Sequence, residues 1–193
     1  MASSFSPAYR PKPCCTLRAT LLALAGLALL AVSTTTLCAD QASELEVKAA
    51  FLLNFLKFVE WPADRLPEAT APYVIAVIGE DSFAATLRTV TADRMIGARK
   101  IAIRIAPHAS DLANAHLVFI SGSEQRQLAA ILRELEGRGV LTVGDTPGYA
   151  ESGVVLNLVV QGQRVRFEAN TAAAARSRLR LSSHLLRIAR IVG

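Results

Sequence analysis

Side chains that could do chemistry are few in this 193-residue sequence, and they stand far apart along the chain. The histidines are His108, His116 and His184, and none has a second ligand at the i and i+4 spacing of a helical zinc site. No elbow of glycine, serine and glycine follows a predicted strand to hold a serine nucleophile. We therefore expect no catalytic residue, no metal and no cofactor, and we interpret the protein as a non-enzyme.

Polar residues that follow predicted strands are the next candidates, because open α/β sheets bind ligands at the carboxyl ends of their strands. Asp81 and Asp145 occupy such positions. The interpretation that we favour is structural, with Asp81 capping a helix and Asp145 forming a turn in GDTPG. Ser121 and Ser123 could expose helix amides to an anion, but simple capping of the next helix is again favoured.

One dense basic region lies near the C-terminus, and it contains Arg176, Arg178, Arg180, His184, Arg187 and Arg190. If Arg178 and Arg180 lie on one strand, they share a face and could hold a phosphate or carboxylate group. Charged residues that protect an edge strand from aggregation explain the same pattern, and both explanations stay open. Our candidates for ligand or partner binding are Arg178, Arg180 and His184.

A strong helical pattern precedes these residues, in the segment 47–62. Apolar residues near a period of 3.6 form its stripe, while Lys48 and Lys57 fall on other faces; the stripe consists of Val47, Phe51, Phe55, Phe58 and Val59. Trp61 and Pro62 end the helix, because proline cannot continue the hydrogen-bond ladder.

Strands and helices alternate through the middle of the chain. The expected strands cover 73–79, 101–106, 116–121 and 140–145. The expected helices cover 81–90 and the stripe from Leu128 to Leu135, where Ser121 and Glu124 form a capping-box pattern, and a loop or short helix covers 110–114. This order predicts an α/β fold with a mostly parallel sheet flanked by helices.

The C-terminal part has a different pattern. Segments 154–160 and 164–169 alternate around Gln161-Gly162-Gln163 and predict an antiparallel hairpin. Thr171 is expected to cap a brief helix, and residues 178–181 to form a short strand, although a continuous helix fits as well. Ser182 or Ser183 caps a final helix, whose expected buried stripe is Leu185, Ile188, Ala189 and Val192.

Residues 1–39 have the pattern of a secretory signal peptide, with a basic front and the apolar run ATLLALAGLALLAV. We expect cleavage after Ala39 and a single domain over residues 40–193; an uncleaved membrane anchor is the alternative. The only cysteines, Cys14, Cys15 and Cys38, precede this cut. Residues 40–193 are only weakly basic, since Arg10, Lys12 and Arg18 belong to the leader, and we expect no nucleic-acid partner.

Five segments together resemble the YfiR-type periplasmic proteins. They are VKAAFLLNFLKFVEWP, YVIAVIGEDSF, AHLVFIS with its Ser-Glu helix start, VGDTPGYAESGVVLNLVVQGQRVRFEAN and LRLSSHLLRIARIV. The resemblance covers nearly all of residues 40–193. It implies an exported, often dimeric α/β domain in the periplasm that binds and restrains an inner-membrane diguanylate cyclase through its periplasmic sensing part, which lowers cyclic di-GMP signalling and biofilm formation.

The resemblance also implies roles for single residues. Those expected to be structural are Phe51, Asn54, Phe58, Trp61, Pro62, Gly144, Asp145, Gly153, Phe167, Asn170, Leu185 and Leu186. Small anionic ligands are expected near Arg178, Arg180 and His184. Some members have paired cysteines in the mature domain, and their absence from residues 40–193 speaks against disulfide control here. The alternative function is a periplasmic small-ligand sensor that signals to a histidine kinase or another membrane receptor.

Overall fold

The central strands are apolar at nearly every position, and successive side chains point to opposite faces, so the sheet buries both of its faces. The computed structural model describes residues 44–193, except residues 67, 69, 80, 113 and 163 and the side chain of Asp81. Its helices are α1 (44–58), α2 (Asp81–Thr91), α3 (Leu128–Leu135), α4 (Thr171–Arg176) and α5 (Ser183–Ile188). Three short 3₁₀ helices cover Ala63–Arg65, Ala109–Leu112 and Gly122–Glu124.

Ten strands complete the described fold. They are β1 (Val59–Glu60), β2 (Tyr73–Ile78), β3 (Met95–Ile96), β4 (Arg99–Ile105), β5 (Leu117–Ile120), β6 (Leu141–Gly144), β7 (Leu156–Gln161), β8 (Arg164–Ala169), β9 (Arg180–Leu181) and β10 (Arg190–Ile191). Eight of them form one sheet in the order β10-β8-β7-β6-β5-β2-β4-β3. The remaining two, β1 and β9, pair as a separate antiparallel ribbon.

The centre of the sheet is parallel, from β4 through β2, β5 and β6 to β7. The β7–β8 hairpin and the β3–β4 pair are antiparallel, and β10 adds to β8 in a parallel direction. This topology confirms the predicted α/β fold with a mostly parallel sheet, flanking helices and a C-terminal antiparallel hairpin followed by a helix.

Two apolar clusters cover the opposite faces of this sheet. In β2, Ile75 and Val77 face the cluster that contains the buried residues of α1 and α2, whereas Ala76 and Ile78 face the cluster that contains those of α3. The same alternation continues in β5. Consecutive residues therefore enter different cores, which explains why these strands are apolar at every position.

The buried face of α1 differs from the predicted stripe. Its completely or almost completely buried residues include Ala49, Leu52 and Leu56 as well as the predicted Phe55, whereas the side chain of Val47 is 41% exposed. Lys48, which we expected on another face, is buried. The apolar residues of this helix cover more than one face, and only packing against the sheet decides which of them faces inward.

The end of α1 also differs from the prediction. The helix ends at Phe58, and the next two residues pair with β9 as strand β1 before Trp61 and Pro62 are reached. Strand pairing therefore ends α1 before the proline is reached.

Three predicted caps can be compared with the structure. The Asn170 side chain, not Thr171, caps α4 by accepting a hydrogen bond from the Ala173 amide. Ser182 caps α5, as one of the two predicted alternatives. Ser121 accepts from the Ser123 amide at the start of a 3₁₀ helix, and α3 begins only at Leu128. The capping-box pattern therefore marks the 3₁₀ turn that precedes α3.

The C-terminal stripe is the prediction that fails most clearly. Leu185 is buried, but Ile188 is 63% exposed and the helix ends there. Strand β10 follows, where we had predicted a continued helix. The strand at 178–181 is also shorter than predicted, since it begins at Arg180. The predicted signal peptide and its cleavage site lie outside the described residues. None of the helices in the described part of the chain is long and apolar enough to cross a membrane.

Candidate functional site

The structure places the three predicted binding residues beside the segment that follows α1. Arg178 donates to the Asp64 carboxylate at 2.5 Å, and Arg180 lies 3.8 Å from the Glu60 carboxylate. The hydrogen bond from Arg178 lowers the pKa of Asp64, whose side chain is exposed. Both arginines thus connect the segment at β9 to the segment at β1.

The two arginines do not share one strand face. Arg178 precedes β9 and has a φ of +60°, in the left-handed region that only a few per cent of non-glycine residues adopt. The rule that every second side chain of a strand lies on the same face therefore does not apply to Arg178 and Arg180. The face-sharing argument from sequence is therefore wrong for this pair.

His184 is exposed on the first turn of α5, close to the end of α1. Its ring lies 5.0 Å from the Phe58 ring, centroid to centroid. The Arg187 guanidinium lies 3.0 Å from its Nδ1. These contacts bring His184 to the same side of α1 as β9, and binding of a ligand or partner by Arg178, Arg180 and His184 stays a prediction.

A partly buried ion pair joins α1 to the carboxyl end of β6. The Lys48 ammonium lies 2.8 Å from the Asp145 carboxylate and 2.8 Å from that of Glu44. Burial would lower the pKa of Lys48, but the hydrogen bonds to Asp145 and Glu44 outweigh burial and raise it. Asp145 is therefore more than a turn residue, since it anchors the first helix to the sheet.

A second polar network lies at the start of β7, the strand next to β6 in the sheet, and at the end of β8. Asn157 is completely buried, and its amide group donates to the Thr146 carbonyl at 3.0 Å and to the Glu168 carboxylate at 3.2 Å. The other oxygen of Glu168 binds Arg190 of β10. This network holds the loop after β6 and the edge strand β10 to the same pair of strands.

His116 organises the opposite end of the sheet, and the sequence analysis missed this role. The Val74 amide donates to His116 Nδ1 at 3.0 Å, so Nε2 has the proton and donates to the Arg65 carbonyl at 3.0 Å. Burial lowers the pKa of His116, and the nearby Arg65 and Arg99 lower it further, against the raising effect of the bond to Arg65. Val74 and Arg65 lie 42 and 51 residues before His116, so no local pattern in the sequence indicates these hydrogen bonds.

The backbone and the ring of His116 also contact the aromatic residues around it. The Trp61 indole donates to the His116 carbonyl at 3.3 Å, and the Tyr73 ring contacts the imidazole edge-on at 5.6 Å. Arg65 donates to the Ala115 carbonyl at 2.6 Å. The expected structural role of Trp61 thus has a physical basis in a buried polar cluster.

An exposed groove runs between β8 and the segment that joins α5 to β10. We call it the α5 groove, and it has a volume of about 250 Å³. Its charged lining residues are Arg166, Arg187, Arg190 and Glu168, and its apolar ones include Phe167, Ile188 and Ala189. Ile188 is the most exposed of the large apolar residues in the described part of the chain. Among the described residues, neither Arg166 nor Arg187 has a carboxylate partner. The groove therefore combines apolar surface with free positive charge.

The other residues expected to be structural occupy packed or capped positions, with one exception. Phe51 contacts Phe167 at 5.9 Å, and Leu185 is buried. A Cβ at Gly144 would lie 2.4 Å from the Tyr149 ring, so only glycine fits there. Asn54 is exposed on α1. Within the described residues, no group of three histidine, cysteine or carboxylate side chains could hold a metal ion.

Comparison with solved structures supports the fold. The crystal structure of a conserved domain protein from Vibrio cholerae matches with a TM-score of 0.53 at 11% sequence identity, over 77% of this chain and 60% of that one. The ABC domain in complex with L-Trp from Streptococcus pneumonia matches with a TM-score of 0.48 at 7% identity, over 62% of this chain and 55% of that one. The first likeness shows the fold alone, and the second is too weak for any inference.

Comparison with protein families is more decisive. The YfiR/HmsC-like family model matches residues 45–190, which is most of the chain. That range covers α1 except its first residue and every later described element up to α5, and it includes Lys48, His116 and Asn157. The chain belongs to the YfiR/HmsC-like family, a regulatory family of periplasmic proteins that acts in cyclic di-GMP signalling and is not known for catalysis.

Proposed function

We propose that this protein binds the periplasmic sensing part of an inner-membrane diguanylate cyclase and restrains the enzyme, which lowers cyclic di-GMP signalling and biofilm formation. The observation that supports this proposal is the family match over residues 45–190. Export to the periplasm by the leader in residues 1–39, with the alternative of an anchor in the inner membrane, belongs to the same proposal. So does a homodimer as the state of the free protein.

The α5 groove is the surface that we expect to contact the cyclase. A regulator must offer an apolar patch that its own core does not cover, and Ile188 provides one. Arg166 and Arg187 surround it without acidic partners among the described residues, so the groove is complementary to an acidic and apolar segment of a partner.

The first experiment is affinity purification of the full tagged chain after crosslinking in the periplasm of its native host. We expect to recover an inner-membrane protein that has a diguanylate cyclase domain. Recovery of a histidine kinase, or of no membrane protein, would contradict the proposal.

A matched pair of variants tests the surface. Ile188→Asp places a charge in the α5 groove, whereas Met95→Asp places the same charge on β3, at the other edge of the sheet, where Met95 is 53% exposed. We expect Ile188→Asp to weaken the complex by about tenfold or more, as for a residue at the centre of an interface. Equal recovery with both variants would exclude the α5 groove as the contact.

A second candidate function is a periplasmic small-ligand sensor that signals to a histidine kinase or another membrane receptor. The Arg180 side chain is 87% exposed, and its guanidinium comes no closer than 3.8 Å to the Glu60 carboxylate. The guanidinium is therefore accessible to an anion. Titration with inorganic phosphate tests this site: loss of binding in Arg178→Ala and Arg180→Ala would support it. Unchanged affinity in both variants would remove these arginines as ligand contacts.

A further inference from the structure

A half-open cleft lies between α3 and α4, apart from the α5 groove and from the arginines near β9. Its volume is about 260 Å³, and the residues that matter to its chemistry are Leu132, Arg133, Glu136, Thr142, Arg176 and Ser177. We call it the α3–α4 cleft. Sequence analysis assigned no role to it, because its walls come from segments that are distant in the chain.

Ser177 lies immediately after the end of α4 and lines this cleft. The residue is 9% exposed, and its hydroxyl group has no hydrogen-bond partner among the described residues. This hydroxyl group belongs to a residue that lines the cleft, so it is available to donate a hydrogen bond to a polar atom of a ligand.

Thr142 of β6 is a second polar side chain in the cleft, and it is 3% exposed. Its oxygen accepts a hydrogen bond from the Val155 amide at 3.0 Å. Because a hydroxyl group also has a proton to donate, Thr142 can still donate to an acceptor in the cleft. The two hydroxyl groups are therefore suited to a ligand that accepts hydrogen bonds.

The charges around the cleft favour an anion. Arg133 donates from Nε to the Ala129 carbonyl and has no carboxylate partner among the described residues. Arg176 lies 3.5 Å from Glu136, and both of these side chains are more than half exposed. Two guanidinium groups and one carboxylate thus line the cleft, and the excess of one positive charge matches a ligand with one negative charge. Arginine binds carboxylates with two parallel hydrogen bonds, which suits this ligand class.

The remaining wall is apolar and limits the size of the ligand. Leu132, Leu135, Ala129 and Ala173 contribute to it. A volume of about 260 Å³ lies just below the usual range of roughly 300 to 1,000 Å³ for small-molecule sites. We infer that the α3–α4 cleft binds a small monocarboxylate with a short aliphatic chain, its carboxylate near Arg133 and Ser177 and its chain against Leu132.

The position of the cleft connects it to the β1–β9 ribbon. Ser177 is followed directly by Arg178, which binds Asp64 next to β1. A ligand held by Ser177 would therefore restrain the turn that leads into β9. This inference stands independently of the partner proposed above, because it requires only a soluble ligand.

Titration of the purified protein with butanoate tests the inference, with butanol as the uncharged control. We expect saturable binding of butanoate with a Kd of about 1 mM or below, in line with the small size of the ligand, and no binding of butanol. Arg133→Ala should weaken binding by about tenfold and Ser177→Ala by about fivefold, since a charge-assisted hydrogen bond is stronger than a neutral one.

Arg164→Ala is the matched control, because Arg164 is an exposed arginine on β8 outside the cleft. Its affinity for butanoate should equal that of the parent protein, and the thermal midpoints of all three variants should confirm that they fold. Binding that Arg133→Ala and Ser177→Ala leave unchanged would overturn the inference. Absence of saturation up to about 10 mM, or binding of phosphate in preference to butanoate, would overturn it as well.

Discussion

His116 shows how one buried side chain can connect distant parts of the chain. Its neutral imidazole accepts from the Val74 amide and donates to the Arg65 carbonyl, and protonation of Nδ1 would abolish the first of these bonds. A positive charge on the ring would also be repelled by the guanidinium groups of Arg65 and Arg99. Burial above all, together with these two charges, therefore favours the neutral ring and lowers the pKa of His116 from the ordinary value of 6.5.

This shift predicts a pH dependence of stability. The unfolded chain binds a proton at His116 near pH 6.5, whereas the folded protein does so only at a lower pH. The contribution of His116 is thus complete above pH 6.5 and is lost as the pH falls through the lowered folded pKa, with a slope of at most about 1.4 kcal/mol per pH unit. Urea unfolding between about pH 5.5 and 7.5 measures it. In His116→Gln this part of the slope should disappear; an identical slope would contradict the assignment.

Asn170 provides the second prediction for a single residue. Its side chain accepts from the Ala173 amide at 2.7 Å and donates to the Ala150 carbonyl at 2.8 Å, and both bonds are buried. Asn170→Ala should lower the free energy of unfolding by about 2–3 kcal/mol, since it removes both the helix cap and a buried hydrogen bond. Thr171→Ala should change it by no more than about 0.5 kcal/mol, because this hydroxyl is exposed. Thermal or urea unfolding distinguishes the two variants. Equal losses in the free energy of unfolding would show that Asn170 is not the cap.

Among the elements, the β1–β9 ribbon is the one whose geometry is least ordinary. Two short strands join the end of α1 to the segment between α4 and α5, and Leu181 pairs with Val59 in the register. Arg178 makes the turn into β9 with a φ of +60°. For a residue that has a Cβ, this conformation costs roughly 1–2 kcal/mol, and glycine avoids most of that cost.

Replacement of Arg178 by glycine and by alanine isolates this backbone effect. Both variants lose the ion pair with Asp64, but only alanine keeps the Cβ that makes the conformation unfavourable. We expect Arg178→Gly to be more stable to urea than Arg178→Ala by about 1 kcal/mol. If alanine were the more stable of the two, the turn before β9 would not have the left-handed conformation.

At the scale of the whole molecule, residues 40–193 contain no cysteine, so packing and polar networks alone must stabilise the domain. We expect the midpoint of urea unfolding for this part of the chain to be the same with and without a thiol reductant, because no disulfide can restrain its unfolded state. A shift in the midpoint would contradict this expectation and would indicate a redox-sensitive contact outside the domain.

The arrangement of surfaces is the other property of the whole molecule. The α5 groove lies beside β10 at one edge of the sheet, and Met95 lies on β3 at the other. The α3–α4 cleft is formed by different residues from either. A domain with separate surfaces could bind a partner and a small ligand at once, so that each proposal can be tested without removing the other site.

The fold class and the family follow from local patterns in the sequence. Strands such as YVIAVI are apolar at every position because both of their faces are buried, and alternation around Gly162 marked the hairpin without any knowledge of the sheet. The absence of cysteine from residues 40–193 is likewise a property of the sequence alone.

Contacts between residues that are distant in sequence depend on the tertiary structure. The sequence places Lys48 on a polar face of α1, but the lysine pairs with Asp145, which is 97 residues away. The role of His116 likewise depends on its hydrogen bonds with Val74 and Arg65. Ile188 fitted a buried helical stripe, but α5 ended there because the following residues joined β8 as an edge strand. Side-chain spacing predicts which faces of an element are apolar, whereas contacts between elements, which the spacing does not encode, select the face that is buried.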